Sequence, residues 1–438
     1  MKRVLITLAL LVTASAWADA QTLTLHNCLE KGLENNYSLR ISRNQEKVAH
    51  NNATLANAGY LPSIDLNAGY NADLANSDSK LRTTGETTEV RNSFDQSLNA
   101  GIGVSWTIFD GFKISTNYKQ LKELERMGEL NTRITLEDFI AGLTAEYYNF
   151  IHQKLRLANY YYAVKLSKER LRIVEERYNI GNFSRLDYQQ AKVDFNADSA
   201  QYIKQQEVVL TSRIALNEMM AIDEVYTPIE TNESTIVSDT TLQFGQLWEK
   251  MLANNAALLL ANRSNTLAEL DYKKVISRNY PYVRLNAGYD YTFNKYDTNS
   301  YTSRSNWGGS AGVTVGFNLW DGNRKRERRN AKIEIENARL ERNRLELALK
   351  AELGNLWQAY RNNIQLLNLE KQNVITAREN HEIAKERYML GDISGIEMRE
   401  AQKSLLDAEQ RLLSVEYDTK LCEISLLQIT GEVTNYLK

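Results

Sequence analysis

The chain is poor in proline, histidine and cysteine, and each scarcity removes a class of protein. Only three prolines occur in 438 residues. That leaves room for long unbroken helices, because an interior proline removes a backbone donor and clashes with the preceding turn. The four histidines, His26, His50, His152 and His381, are scattered, and no His/Cys cluster has metal-ligand spacing, so no metal is expected. Neither a phosphate-binding loop nor a nucleophile elbow is present, so neither a cofactor nor an enzyme activity is expected. A formal net charge of −2 gives no electrostatic footprint for nucleic acid. Cys28 and Cys422, near opposite ends of the chain, read as two separate thiols, with a bridge as the alternative.

Long apolar runs are missing as well. Past the N-terminus no stretch approaches the ~18 residues of a membrane-spanning helix. A transmembrane barrel would escape this test, because its apolar residues occupy every second position. The N-terminus itself is patterned. Lys2 and Arg3 precede an apolar stretch from Val4 to Ala16, and two small-residue cleavage patterns follow. Residues 1–20 read as a secretory signal peptide cut after Ala18 or Ala20. Cys28 lies too far in to carry a lipid beside the cut.

What is present is a duplication. LTLHNCLEKGLENN (Leu23–Asn36) matches LQFGQLWEKMLANN (Leu242–Asn255), 219 residues on, and LPSIDLNAGY (Leu61–Tyr70) matches YPYVRLNAGY (Tyr280–Tyr289) at the same offset. Asp110-Gly111 matches Asp321-Gly322 at an offset of 211, and RYNIGNFSRLDYQQA (Arg177–Ala191) matches RYMLGDISGIEMREA (Arg387–Ala401) at 210. Pro62 and Pro281 are equivalent, and Pro228 lies between the copies. The first repeat is read as 21–228 and the second as 229–438. The drop in offset is assigned to a polar loop that is shorter in the second copy.

Each copy carries two strands, about 62–76 and 93–109, then 281–294 and 306–320. In the first, Ile64, Leu66, Ala68 and Tyr70 alternate with Asp65, Asn67, Gly69 and Asn71. In the last, Ala311, Val313, Val315, Phe317 and Leu319 do the same. Period two means one apolar and one polar face. A polar face of amides, glycines and small residues, with aromatics near the ends of the apolar face, is the pattern of a lipid-facing barrel with a wet interior. Helix hairpins are expected at 111–221 and 323–430, and one helix before each sheet, at about 29–60 and 246–279. In the helix 111–179, Leu143, Tyr147, Phe150, Leu157, Tyr161, Val164 and Leu171 form a 4-3 seam, which predicts coiled-coil packing. That helix has 69 residues, and the two shorter ones, 38 and 32, stack to the same length. The result is a rod of roughly 100 Å.

Four strands leave two edges, and an edge cannot face lipid. Two copies would give eight strands, too narrow for a channel. Three copies give twelve strands and an open lumen, continued by the helices as a second cylinder.

The paired asparagines, PSIDLNAGY, the aromatic-Asp-Gly turns and the twofold RYxxGxxSxxxxxxA closely resemble the outer-membrane efflux proteins of the TolC family, over about Leu23 to Gly431. The resemblance implies a homotrimer in the outer membrane, a 12-stranded barrel and a helical periplasmic tunnel. It also implies docking to a periplasmic adaptor (membrane fusion protein) and an inner-membrane transporter, for efflux or type I secretion. The rival reading is a trimeric adhesin stalk without a lumen. From the residues alone, Gly181 and Gly391 end helices, and Ser184 and Ser394 start the next, with Asp187 and Glu397 at capping-box spacing. The resemblance places Arg177, Tyr178, Gly181, Ser184, Arg387, Gly391 and Ser394 at the periplasmic tip, where adaptors dock. It also aligns Glu397 and Glu400 with an acidic pair at the entrance, and Asp187 and Tyr388 with partners in a closed-state hydrogen bond. Ile393 stands where the family's type member has a gate-holding arginine. Pro62, Pro281, Asp110, Gly111, Asp321 and Gly322 mark the strand junctions. The lack of Met/His clusters speaks against a metal cargo.

Overall fold

The computed structural model describes residues 23–437 apart from 232, 234 and 300, so residues 1–20, read as a signal peptide, lie outside the described residues. Helices α1 (Leu25–Asn35), α2 (Tyr37–Asn52) and the short α3 (Leu55–Ala58) precede strands β1 (Ser63–Lys80) and β2 (Thr87–Asp110). Then come α4 (Lys113–Asn179) and α5 (Arg185–Met219). The second copy follows as α6 (Phe244–Asn254), α7 (Ala256–Ser277), β3 (Tyr282–Lys295), β4 (Ser303–Gly316), α8 (Arg324–Leu390) and α9 (Gly395–Ile429). Helices α4 and α8 are both 67 residues long, and α5 and α9 both 35.

The chain divides into two compact units. One holds the described residues up to 44, with 131–259 and those from 344 on; the other holds 45–130 and 260–343. The second contains the sheet, an antiparallel meander in the order β1-β2-β3-β4. Its register carries the two faces across all four strands. Leu66, Ile102, Tyr289 and Gly309 form one row, and Ala68, Ala100, Tyr291 and Trp307 the next. Between them runs a row of Asn67, Gly101, Asp290 and Gly308. Nothing among the described residues covers the apolar face: Leu66 is 77% exposed, Leu74 69%, Trp307 69% and Val315 69%. Strands β1 and β4 each pair on one side only.

Two strand expectations are corrected. The stretch from Asn76 to Asn92 is not a loop: β1 and β2 continue through it to a turn at 81–86, with Asp78 opposite Glu89 and Lys80 opposite Thr87. A bulge interrupts the register after Ala75, where Asn92 takes a φ of 53° and donates its N–H to Asn76 Oδ1 at 2.6 Å. The turn at 296–302 in the second copy is no shorter, so the difference in length between the copies lies in the strands. Conversely, β4 ends at Gly316, opposite Tyr282, and Phe317 and Leu319 lie beyond it. Pro281 precedes Tyr282 on the partner strand and has no N–H to offer, so the ladder stops there.

The single helix expected before each sheet is broken, at Asn36 and at Asn255. Both residues leave the helical region, with ψ of 125° and 118°. Each accepts from the next helix through its side-chain oxygen, Asn36 from Leu39 N–H at 3.2 Å and Asn255 from Leu258 N–H at 3.0 Å. Each also donates its amide to the last carbonyl of a long hairpin, Met219 at 3.1 Å and Ile429 at 2.9 Å. One side chain thus starts a helix and ties it to the end of another.

In the helical unit the buried apolar groups form three clusters, two large ones and a small one of Val174, Ala191, Tyr388 and Met398. Leu29, Leu143, Tyr147, Phe150 and Leu216 belong to the first, and Leu247, Met251, Leu353, Tyr360 and Leu426 to the second. The predicted seam of α4 is correct at Leu143, Tyr147 and Phe150, but Tyr161 is 60% exposed. From there the buried positions are Ala163, Ser167, Arg170 and Val174. At 100° per residue this is roughly the opposite side of the helix. The face changes because Val174 packs with Tyr388 and Met398 of the second hairpin. Cys28 and Cys422 are both free thiols. Burial pushes the Cys28 thiol up to about 12.

Replacing Asn255, 7% exposed, by Ala removes both bonds and is expected to lower unfolding stability by about 2 kcal/mol. Asn255→Asp keeps the helix-capping oxygen but loses the bond to Ile429, and should fall between the two in a urea titration. Equal stability of all three proteins would show that the break is set elsewhere.

Candidate functional site

The hairpin α4–α5 turns at 180–184 and α8–α9 at 391–394. Gly181 and Gly391 have φ of 80° and 88°, the left-handed conformation that closes a helix. The chain then bonds back, Asn182 N–H to the Arg177 carbonyl at 2.8 Å and Asp392 N–H to that of Arg387 at 2.9 Å. Ser184 and Ser394 cap the outgoing helices. Ser184 Oγ accepts from Asp187 N–H and Ser394 Oγ from Glu397 N–H, both at 3.2 Å. The carboxylates accept in turn from the serine backbone N–H, Asp187 at 3.1 Å and Glu397 at 2.7 Å. Both boxes are complete, so Asp187 serves as well as Glu397. The bonds from Ser394, backbone and then hydroxyl, hold the Glu397 carboxyl below its ordinary range.

The two tips share this backbone but not their side-chain chemistry. Arg177 reaches across, donating to the Met389 carbonyl at 3.0 Å, with its guanidinium 5.3 Å from the Phe183 ring and 5.7 Å from that of Tyr388. Its counterpart Arg387 is exposed. Tyr178 stacks on Tyr188 at 5.5 Å and 6°. Its counterpart Tyr388 is 3% exposed, and its hydroxyl has no hydrogen-bond partner. Burial raises the Tyr388 phenol above its usual range. Asp187 and Tyr388 are not bonded to each other: the Asp187 carboxylate accepts from Ser184. Both residues line a cavity of about 390 Å3, together with Arg170, Leu186, Arg399 and the exposed Glu400.

Beside this cavity lie ion pairs that sequence reading missed. Arg170, 5% exposed, is paired with Asp194. Arg399 grips Asp198 with two bonds of 2.7 Å, joining α9 to α5. Burial pushes Arg170 below its usual range, while the bond to Asp198 pushes Arg399 above it. The repeat holds a signal for them. At the 210-residue offset, Arg170, Asp194, Asp198 and Arg399 face Asn380, Ser404, Ala408 and Gln189. Charge in one copy opposite a neutral residue in the other marks contacts that the duplicated fold does not itself require.

At the strand junctions Pro62 and Pro281 each stand immediately before a strand. The Asp110 carboxylate accepts from Ile114 N–H at 2.9 and 3.1 Å, and that of Asp321 from Asn323 N–H at 2.9 Å. Gly111 and Gly322, equivalent in sequence, differ here. Gly111 has a φ of 70°, and a Cβ on it would fall 2.2 Å from the Ser277 carbonyl. At Gly322 the nearest atom would be a Trp320 ring carbon at 3.4 Å. Among the described residues no group of acidic, histidine or cysteine side chains could hold a metal, and no helix is long and apolar enough to cross a membrane.

The profile of the outer membrane efflux protein family matches residues 28–221 and 247–432. The chain is 24% identical over 434 residues to the outer membrane protein TolC of Vibrio cholerae serotype O1, covering 97% of this chain and 93% of that one. It is 20% identical to the outer membrane efflux protein BepC of Brucella suis biovar 1, covering 94% and 86%. Among solved structures, the outer membrane protein VceC of Vibrio cholerae superposes with a TM-score of 0.75 at 18% identity, covering 95% of this chain and 98% of that one. The CmeC outer membrane channel of Campylobacter jejuni gives 0.79 at 15%, covering 93% and 85%.

Gly111→Ala is expected to cost several kcal/mol, since it combines a forbidden φ with a backbone clash, and Gly322→Ala less than about 1 kcal/mol. Urea unfolding of the two variants side by side measures the difference. Equal loss would mean that the junctions are used alike.

Proposed function

The chain belongs to the outer membrane efflux protein family and is an exit duct of the outer membrane, and we propose that three copies build it. One observation carries the reading. The sheet exposes a continuous apolar face, opposes it with a polar one, and leaves both edges unpaired. In hydrocarbon an unpaired backbone group costs several kcal/mol, so the edges must close on other strands. Three sheets of four make twelve strands, wide enough for a lumen. The strands run from 14 to 24 residues, more than the ~9–11 that a tilted strand needs to cross the hydrocarbon. Outside goes the apolar face, towards acyl chains; inside goes the polar one, lining water.

The two hairpins then form the periplasmic entrance, where an adaptor docks and links the duct to an inner-membrane transporter for efflux or type I secretion. No conformational work or catalysis is asked of the barrel. It supplies a wet path, and the transporter supplies direction and cargo choice. At the entrance Glu397 and Glu400 provide two rings of carboxylates that favour cations. Of the pair, Glu400 has the freer carboxylate, because that of Glu397 is engaged by Ser394. Without an arginine at Ile393 the tip is held instead by Arg177, Arg170 and Arg399.

Planar-bilayer conductance of the purified protein, with its mass measured alongside, tests this reading. A trimer with small cation-selective steps is expected, and a trimer silent at every voltage would overturn it. Glu400→Ala and Glu397→Ala should each raise conductance and weaken cation selectivity, the former more. Unchanged conductance in both would remove the carboxylate rings from the account.

A further inference from the structure

Helix α8 opens with six cations, Arg324, Lys325, Arg326, Arg328, Arg329 and Lys332, against the single acid Glu327. This is the positive end of the helix dipole, where cations are repelled by the backbone. Little inside the protein offsets the repulsion. Glu327 is taken by Arg278 of the turn after α7. Arg324 donates to the Asn318 carbonyl at 2.9 Å and Arg328 to the Tyr272 hydroxyl at 3.4 Å. Lys325, Arg326, Arg329 and Lys332 are exposed and bond to nothing among the described residues. Lys325, Arg328, Arg329 and Lys332 fall within an arc of about 100° on the helix, and Glu327 lies on the far side. The duplicated fold does not demand the stripe. At the 211-residue offset its four positions are Ile114, Asn117, Tyr118 and Leu121 in α4.

The residues just before it are equally exposed. Phe317, Leu319 and Trp320, between β4 and α8, are 51%, 87% and 85% accessible. Phe317 and Leu319 prolong the alternation of Val313 and Val315 on the apolar face, past the point where β4 loses its partner. Along the chain the order is therefore apolar strand face, exposed indole, basic stripe. Across one leaflet of a bilayer the order is acyl chain, interface, phosphate.

We infer that the stripe, with the Phe317–Trp320 step before it, binds the headgroups of anionic phospholipids. The inference rests on the outer-membrane reading above, and assigns the site to the periplasmic leaflet. Aromatics at the headgroup level and cations at the phosphates are the pairing that such a surface selects. A protein partner would give no reason for the basic residues to begin where the apolar face ends. The acidic surface of a neighbouring copy is the other occupant to be separated.

The test uses the full mature protein in neutral detergent beside a variant carrying Lys325→Gln, Arg328→Gln, Arg329→Gln and Lys332→Gln. Retention of phosphatidylglycerol and of phosphatidylcholine is read by native mass spectrometry, and conductance in vesicles of phosphatidylcholine alone. Wild type should retain phosphatidylglycerol in preference. The variant should lose ~10-fold or more of that retention while still conducting, as should wild type at about 0.5 M salt. The melting temperature of the variant without lipid should be unchanged or higher, since dipole repulsion is relieved. Equal retention of the two lipids by wild type, or an undiminished preference in the variant, would overturn the site. A variant that falls to monomers in detergent would overturn it in favour of a neighbouring copy. A wild type that conducts in no vesicle would instead sink the outer-membrane reading itself.

Discussion

A sheet with two open edges and a bare apolar face cannot be a finished object in water or in lipid. Backbone donors and acceptors at an edge need partners, and in hydrocarbon water cannot supply them. Both halves of this chain submit to that constraint. Each contributes a hairpin to the sheet and follows it with a helix of 67 residues, which satisfies its backbone internally and needs no closure. Proline is kept to positions where a missing donor does no harm, and at Pro281 it defines where the ladder ends. The asparagines at 36 and 255 belong to the same economy of backbone groups. Each captures a carbonyl at the end of a long helix hairpin that would otherwise be left without a partner.

Duplication gave the fold twice, and divergence placed the chemistry once. The glycine turns and capping boxes are the same at both tips because helix geometry requires them. The ion pairs of Arg170 and Arg399 cross between elements and occur in one arrangement only. Likewise one of the two equivalent tyrosines is buried without a partner while the other stacks on the surface. A two-fold pattern in sequence thus becomes a pair of turns with different side-chain contacts, tied to each other from both sides by Arg177 to Met389 and by Arg399 to Asp198.

Backbone rules made much of this legible in advance. The alternation from Ile64 to Tyr70 gave the strand and its faces, Gly181 and Gly391 gave the turns, and the spacing of Ser394 to Glu397 gave the cap. What remained hidden depends on partners distant in sequence. The seam of α4 extrapolated past Phe150 on local periodicity, yet the buried side near the tip is chosen by Tyr388 and Met398. The breaks at Asn36 and Asn255 look like helix interior until the carbonyls of Met219 and Ile429 are in place. The Ser- and Thr-rich stretch after Asn76 has loop composition, but two such stretches facing each other across a bulge bond as strands. The special role of Gly111, absent at Gly322, follows from the Ser277 carbonyl.

The longer first hairpin has a different sort of consequence. Beyond the bulge at Asn92 its strands pair only with each other, and residues 71–89 are exposed throughout. Backbone bonds fix most of their course, helped by the Asn76 side chain at the bulge and the Arg91–Asp78 pair, so most other positions accept any polar side chain. This is the end of the sheet farthest from the helices, and in the proposed barrel it stands at the cell exterior. There it is the portion that meets the surroundings first. A structure that specifies few of its side chains can change its outer face while the duct behind it stays the same.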